Sequence, residues 1–312
     1  AEAITNIAGV KHDALDKISF SANWMSSTKT ADERGDLLRG VQAVTNMADT
    51  LNISIPVGKD SLSMNVSWKD ENQEHAVTSP MTLNVSSFSN VKDLNKSVTP
   101  ELSNSDSTIL HLWSHEDKYR MGGSSLYQSY KLYGGETPDI ENTESFKVLF
   151  DGTQQLLGKG QILALHDISD GGLVTSLIEM ALCSNQGLDL ILDYPEKAKI
   201  IPKLFSEESG LLVEVENKKL DEIKKYLGTL GVNYEEVAKK NSEKKFTIKS
   251  FKETLFSSDL NTIFNEWSKV SFEMQKIRDT EQSAEQEKKA YIEFDEFLTP
   301  KITFPIPDSG KK

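Results

Sequence analysis

The stretch that decides the fold is LALHDISDGGLVTSLIEMA, residues 163–181. An apolar run at 161–166, bounded by a glycine and Asp167, predicts a short buried strand. After two glycines, residues 173–183 have the apolar periodicity of a helix. A strand, a glycine-containing loop and a helix in this order indicate an α/β architecture, with a mixed sheet left open.

The loop from Asp167 to Gly172 carries the residue types of a phosphate and magnesium site. A helix N-terminus offers unpaired amides and a positive dipole end, and Gly171 and Gly172 allow a ligand to approach the backbone. Asp167 can hold Mg²⁺ through an oxygen, together with phosphate oxygens. The alternative is that Ser169 and Asp170 only cap the helix.

The rest of the chain alternates short strands with helices. The residue 89–106 segment, rich in Ser, Asn and Pro, is predicted to be a linker. Its position divides the chain into residues 1–100, 101–260 and a helical, charged tail at 261–312 that ends in loop-like sequence. Strands are predicted at 18–24, 65–68, 81–88, 108–113, 188–192 and 211–216, and helices at 1–8, 36–51, 145–157, 201–206, 218–229 and 261–289.

Two further groups of residues could contact a nucleotide. Glu2 and Asn6 are four residues apart, which places their oxygens on one face of a helix within reach of one hard cation. Such pairs are also commonplace on exposed helices. The segment from Gly58 through Lys59 to Ser61 could bind phosphate, but it lacks the first glycine of a Walker loop. A solvated glycine turn is the alternative there.

Composition narrows the function classes. The 35 Lys and Arg residues against 48 Asp and Glu give a net charge of −13, which argues against non-specific nucleic-acid binding. No apolar run approaches the ~20 residues that span a bilayer, so we expect no membrane segment and a cytoplasmic location. The lone Cys183 lies in an apolar stretch and is expected to pack in the core. His166 is expected to be structural, and no residue is assigned a catalytic role.

Several strings occur in an order and spacing that resemble the phosphoribosylformylglycinamidine synthase family, the glutamine-dependent ligases of purine biosynthesis. The SANWM string favours the large, single-chain form of that enzyme. The resemblance covers roughly residues 1–220 and continues more loosely near 267–279. The strings are AEAITNIAGV at 1–10, SFSANWM at 19–25, IPVGKDSLSM at 55–64, TPDIENTESFK at 137–147 and the stretch quoted first.

The resemblance implies a fold similar to aminoimidazole ribonucleotide synthetase. Residues 1–100 would be the later part of a strand-rich, barrel-forming subdomain, and 101–260 would be its α/β subdomain. Residues 261–312 would lead toward a glutaminase domain outside this chain. The family's other half-domain, a further Asp ligand and a nucleotide-binding Lys would also lie outside it.

The resemblance also assigns residues. It implies that Glu2, Asn6 and Asp167 hold Mg²⁺ on a bound ATP or ADP, and that Ser169 contacts the nucleotide. Gly171 and Gly172 would lie against the same ligand, and the loop carrying Lys59 and Ser61 would lie near the synthetase cleft.

The activity implied by the resemblance is that of an ATP-dependent carbon–nitrogen ligase. It converts formylglycinamide ribonucleotide, glutamine and ATP to the amidine, glutamate, ADP and phosphate. The partners implied are the nucleotide, the ribonucleotide substrate and the remaining synthetase and glutaminase domains. The alternatives are a non-catalytic scaffold that binds nucleotide and magnesium, and another superfamily member such as selenophosphate synthetase or a hydrogenase-maturation protein.

Overall fold

The computed structural model describes residues 1–292, except 72, 117, 195 and 196, and also residue 303. The chain divides into two compact units, Ala1–Leu260 and Asn261–Lys312. The first unit contains the three sheets described below. Among the described residues, no helix combines the length and the apolar character needed to cross a bilayer.

The N-terminal region of the first unit, residues 1–90, contains a three-stranded sheet in the order β2-β1-β5. The central strand β1 runs parallel to β2 and antiparallel to β5. A separate antiparallel pair, β3 and β4, follows β2. The elements are helix α1 (Glu2–Thr5), β1 (Ser19–Met25), helix α2 (Ala31–Leu51), β2 (Ser54–Ser61), β3 (Asn65–Lys69), β4 (Glu74–Thr78) and β5 (Thr82–Phe88).

The C-terminal region, residues 107–259, is built on one mixed sheet in the order β12-β11-β8-β10-β6-β9-β7. Its strands are β6 (Ser107–Trp113), β7 (Ala164–Asp167), β8 (Gly187–Ile191), β9 (Gly210–Glu216), β10 (Asn233–Asn241), β11 (Lys245–Ser250) and β12 (Glu253–Asp259). Its helices are α3 (Ser125–Ser129), α4 (Thr143–Gly158), α5 (Gly172–Ser184), α6 (Ile200–Phe205) and α7 (Leu220–Leu230). The predicted α/β class is therefore confirmed.

One hydrophobic core joins the two regions. Ile4 of α1 and Leu51 of α2 belong to the same buried cluster as Phe146 and Phe150 of α4. Helix α1 also contacts β5, where Ser87 Oγ donates to the Ala3 carbonyl at 2.6 Å, while its apolar residue Ile4 is fully buried in the shared core. This packing brings the start of the chain close to a loop more than a hundred residues away.

Helix α2 begins five residues earlier than the predicted Asp36 because a capping box precedes it. The Thr30 side chain accepts a hydrogen bond from the Glu33 amide, and the Glu33 carboxylate accepts one from the Thr30 amide. This reciprocal pair satisfies two amides that would otherwise lack partners. The predicted apolar stripe is only partly covered, since Leu51 is buried whereas Leu38 and Val41 are exposed.

Two local predictions are wrong. The Gly58–Ser61 segment is not a turn but the second half of strand β2, because it pairs with β1 through Ser61. Cys183 is exposed rather than in the core, because it lies on the outer side of α5. The prediction that the charged tail is helical is confirmed, and the tail forms helices α8 (Leu260–Arg278) and α9 (Glu281–Ile292). The loop-like end predicted after residue 292 lies outside the described residues, apart from residue 303.

Candidate nucleotide site

A cavity of about 280 Å³ forms where α1 meets the loop that follows β7. Glu2 borders it from α1, and Ser169 and Asp170 border it from the loop. The remaining wall comes from Asp139, in the segment before α4, and from Glu207, which follows α6. The structure thus brings together two of the predicted site residues, Glu2 and Ser169.

Asp167 lies at the end of β7, two residues before Ser169, and is 7% exposed. It is not among the residues that line the cavity. Its neighbour His166 is bracketed by acids, with Nε2 3.0 Å from Glu179 Oε2 and Nδ1 3.4 Å from Asp167 Oδ1. Burial alone would lower the pKa of His166, but the hydrogen bonds with Asp167 and Glu179 outweigh it and raise that pKa to about 10.

The two glycines of the loop are required by its backbone. Gly171 has φ +86° and Gly172 has φ +72°, a region that side chains disfavour. A Cβ on Gly172 would lie 2.6 Å from the Ser206 carbonyl oxygen. Another group therefore does lie close to the backbone at Gly172, as the sequence predicted, and that group is the end of helix α6.

The prediction that the loop amides are unpaired is wrong for both glycines. The Gly171 amide donates to Glu207 Oε1 at 2.8 Å, and the Gly172 amide donates to the Ser169 carbonyl at 2.9 Å. A carboxylate of the chain itself thus occupies the anion position at the start of α5. Direct contact of a phosphate with the Gly171 amide would require Glu207 to move, and contact with the Gly172 amide would require its hydrogen bond to Ser169 to open. The role assigned to Gly171 and Gly172 therefore stays a prediction.

Asn6 borders a second, larger cavity of about 720 Å³, and Glu2 borders both. This cavity lies between α1, α2 and β5, with Val44 and Met47 on its α2 side and Leu83 on its β5 side. Glu2 and Asn6 are both exposed, which leaves their oxygens accessible. The pairing of these two residues on one cation stays a prediction.

Lys59 and Ser61 lie elsewhere, on strand β2. The Lys59 ammonium donates to Ser61 Oγ at 2.6 Å and to the Asp60 carbonyl at 3.0 Å. Neither residue lines either of the two cavities. Their predicted contact with a nucleotide is therefore a separate proposal from the site at the loop.

The smaller cavity is acidic. Glu2, Asp139, Asp170 and Glu207 line it, and no basic side chain does among the described residues. Across the residues that the structure describes, no group of three or more His, Cys, Asp or Glu side chains is arranged to hold a metal ion by itself. The carboxylates of this cavity could still contribute one or two ligands to Mg²⁺, because Mg²⁺ takes its other ligands from water and phosphate.

An ion-pair network fixes the wall that carries Asp139. Arg120 donates from Nε and Nη2 to the two oxygens of Glu208, at 2.6 and 2.8 Å, and from Nη2 to the Asp139 carbonyl. Its Nη1 lies 2.8 Å from Glu141 Oε1. The hydrogen bonds that Arg120 donates to Glu208 raise the pKa of its guanidinium. This bidentate pair holds the 139–141 segment against the start of β9.

Sequence reasoning missed Asp139 and Glu207. Asp139 lies within the string TPDIENTESFK, which contributed to the family resemblance but received no role of its own. Glu207 lies in SEES, where two adjacent glutamates look like a solvated turn. No spacing rule connects either residue with the loop at 167–172, since the contacts depend on tertiary packing.

Two family models match the chain. The FGAR-AT PurM N-like domain model matches residues 1–90, and the model of the C-terminal domain of AIR synthase related proteins matches residues 107–250. The chain carries AIR synthase-like domains. The predicted fold is thereby confirmed, and the cavity lies where the two matched segments meet.

Solved structures of the same fold include those of PurL and HypE. T. maritima PurL complexed with ATP superposes with a TM-score of 0.56 at 13% identity, over 83% of this chain and 40% of that one. T. maritima PurL complexed with FGAR gives 0.53 at 14% identity, over 84% and 42%. E. coli HypE, a hydrogenase maturation protein, gives 0.57 at 16% identity, over 83% and 79%. The chain therefore spans less than half of the PurL chains and most of the HypE chain.

Proposed function

We propose that this chain is part of a phosphoribosylformylglycinamidine synthase, and that its own contribution is to bind ADP or ATP with Mg²⁺ in the cavity between α1 and the 167–172 loop. One observation carries the proposal: Glu2 and Ser169 line the same cavity, and Asp167 lies two residues from Ser169. The two matched domain families and the fold shared with PurL support it.

The reaction proposed for the whole enzyme needs ATP because an amide oxygen is a poor leaving group. Phosphorylating the oxygen of formylglycinamide ribonucleotide gives an iminophosphate, from which ammonia displaces phosphate. When bound, Mg²⁺ would neutralise the charge on the phosphate oxygens. The residues proposed to hold the ion are Glu2, Asn6 and Asp167, and Ser169 is proposed to contact the nucleotide.

The lining of the cavity favours binding without turnover as the role of this particular site. Phosphoryl transfer places charge on the transferring group, and enzymes meet it with Lys or Arg as well as metal. The cavity has four carboxylates and no basic side chain among the described residues. As far as these residues are concerned, bound nucleotide would be held through the cation between it and the acids, which suits a stabilising ligand better than a reacting one.

A second candidate is a hydrogenase maturation protein of the HypE kind. The observation that favours it is the shared fold, because E. coli HypE superposes with a TM-score of 0.57, against 0.56 for T. maritima PurL complexed with ATP. The SANWM and GKDS strings favour the ligase family. Turnover of formylglycinamide ribonucleotide by the complete protein would separate the two.

The site is tested by measuring the thermal unfolding of the chain with ADP and Mg²⁺. A ligand at about 100 times its dissociation constant stabilises the folded state by ~2.7 kcal/mol, so a rise in Tm is expected. Asp167→Ala should remove the rise, as should EDTA. Asp49→Ala removes an exposed carboxylate on α2 and should leave the rise intact. A parent chain that shows no rise would refute the site.

The two roles are separated by turnover. Incubation of the chain with ATP, ammonium and formylglycinamide ribonucleotide should give no phosphate release above background while the nucleotide-induced rise in Tm persists. Turnover by this chain that Asp167→Ala abolishes would show that the cavity is catalytic and would overturn the stabilising role.

A further inference from the structure

A single carboxylate oxygen connects two helix starts beside the cavity. Glu207 Oε1 accepts from the Gly171 amide at 2.8 Å and from the Ser125 amide at 2.8 Å. Gly171 is the residue before α5, and Ser125 is the first residue of α3. Glu207 itself lines the cavity beside Ser169.

These two amides belong to the class that lacks partners inside a helix. A charged acceptor binds them more strongly than a neutral one would. The other hydrogen bonds donated by amides of the loop have neutral acceptors, such as those from the Ile168 amide to the Gly210 carbonyl at 2.9 Å and from the Ser169 amide to Ser176 Oγ at 3.3 Å. Gly171 has no side chain to restrict its backbone, and the contact of its amide with Glu207 is its one hydrogen bond to a charged group among the described residues.

We propose that Glu207 is the positioning residue of this site: by holding the Gly171 amide, its carboxylate fixes the 167–172 loop in the conformation that presents Ser169 and Asp167 to the nucleotide and its Mg²⁺. The inference rests on the proposed function for the identity of the ligand. The geometry of the loop is independent of it, because both hydrogen bonds join groups of this chain.

The role of the acceptor can be separated from that of the charge. Glu207→Gln keeps a carbonyl oxygen for the two amides and removes the negative charge. Glu207→Ala removes both. If Glu207 acts by positioning the loop, Glu207→Gln retains nucleotide binding and Glu207→Ala loses it. If it acts as a ligand of the cation, both variants lose binding, because an uncharged amide is a weak ligand for Mg²⁺.

The first measurement needs no nucleotide. Hydrogen exchange of the peptides that contain Gly171 and Ser125 reports the opening of the two hydrogen bonds. In Glu207→Ala we expect exchange there to accelerate more than about tenfold, since hydrogen bonds to charged groups are the stronger kind. In Glu207→Gln the change should stay within about threefold, as expected for a retained neutral hydrogen bond.

The second measurement is the dissociation constant of ADP with Mg²⁺. Glu207→Ala should weaken binding at least about tenfold, the loss expected when one charge-assisted hydrogen bond no longer fixes the loop. Glu207→Gln should stay close to the parent. Ser107→Ala is the matched control: it removes a buried hydrogen bond to Glu214 at the other end of β9 and should lower stability without changing affinity.

The outcomes distinguish the two proposals. Absence of binding by the parent refutes the proposed function, and the exchange data still decide whether Glu207 holds the loop. Normal binding by Glu207→Ala, or unchanged exchange at Gly171, overturns the positioning role. Equal loss of binding in both Glu207 variants also overturns it and makes Glu207 a cation ligand.

Discussion

The N-terminal and C-terminal regions use their strands differently. All seven residues of β6 are buried, as are six of the seven residues of β9. In β2, six of eight residues are exposed and none is buried. The burial of the strands therefore differs between the two sheets, although both sheets belong to the first compact unit.

The difference teaches where stability originates. In the C-terminal region, helices and neighbouring strands bury the central strands, which supplies most of the apolar contact. In the N-terminal region, large apolar side chains remain exposed along the strands, namely Val57, Val66, Trp68, Val77 and Phe88. Substitutions in the two regions should consequently differ in effect, and this can be measured.

The largest contrast is expected between a core aromatic residue and an exposed strand residue. Phe150 is 2% exposed, and Phe150→Ala should lower the free energy of unfolding by about 3–5 kcal/mol. Val57 is 61% exposed, and Val57→Ala should change it by less than about 0.5 kcal/mol. Denaturant titration of both variants tests the pair, and equal losses would contradict the difference between the regions.

Two glycines with the same backbone conformation allow the stability cost of steric crowding to be measured apart from that of backbone strain. Gly172 and Gly231 have φ +72° and +71°, but a Cβ would meet the backbone of α6 only at Gly172. Gly231→Ala should cost about 1 kcal/mol from conformation alone. Gly172→Ala should cost about 2–4 kcal/mol because the end of α6 must also shift. Denaturant midpoints that are equal for the two variants would exclude crowding at Gly172.

The C-terminal region should lose stability in mild acid. Burial, and then the charges of Lys203 and His115, lower the pKa of His111 well below its usual 6.5. A depressed pKa means that the unfolded chain takes up the proton first, so stability falls as the pH drops below 6.5 toward the folded-state pKa. The slope from one such group is at most about 1.4 kcal/mol per pH unit.

The measurement is the free energy of unfolding at several pH values between 5 and 7. His111→Gln should reduce the slope, and stability should also differ from the parent at every pH because the site is buried. Burial also lowers the pKa of His12, which contributes in the same direction, whereas the raised pKa of His166 contributes in the opposite direction, so the comparison with the parent isolates His111. An unchanged slope in His111→Gln would refute the assignment.

The smallest effect is expected at the start of α2, in the N-terminal region. Thr30→Ala removes the capping box and should lower the free energy of unfolding by about 1 kcal/mol. Thr50→Ala, in the last turn of the same helix, should be neutral or slightly stabilising because Ala favours helix. Thermal unfolding of both variants checks the pair, and equal effects would argue against the cap.

Sequence patterns predicted elements where apolar periodicity is strong. The helix predicted at 145–157 and the strand predicted at 211–216 correspond to α4 and β9. Strands β10, β11 and β12 were missed because their sequences, such as NYEEVAKKN, are too polar to alternate clearly. Strand β2 was missed in part because a glycine in an exposed strand reads as a turn.

The sequence by itself determined the α/β class, the strand–loop–helix unit around 163–181 and the glycines at 171 and 172. These features depend on local periodicity and backbone freedom, which neighbouring residues encode. Tertiary structure alone decided that Glu2 meets Ser169 in one cavity, that Cys183 faces outward, and that Glu207 takes the Gly171 amide. Those contacts join residues distant in the chain, and they arise from packing one apolar face against another.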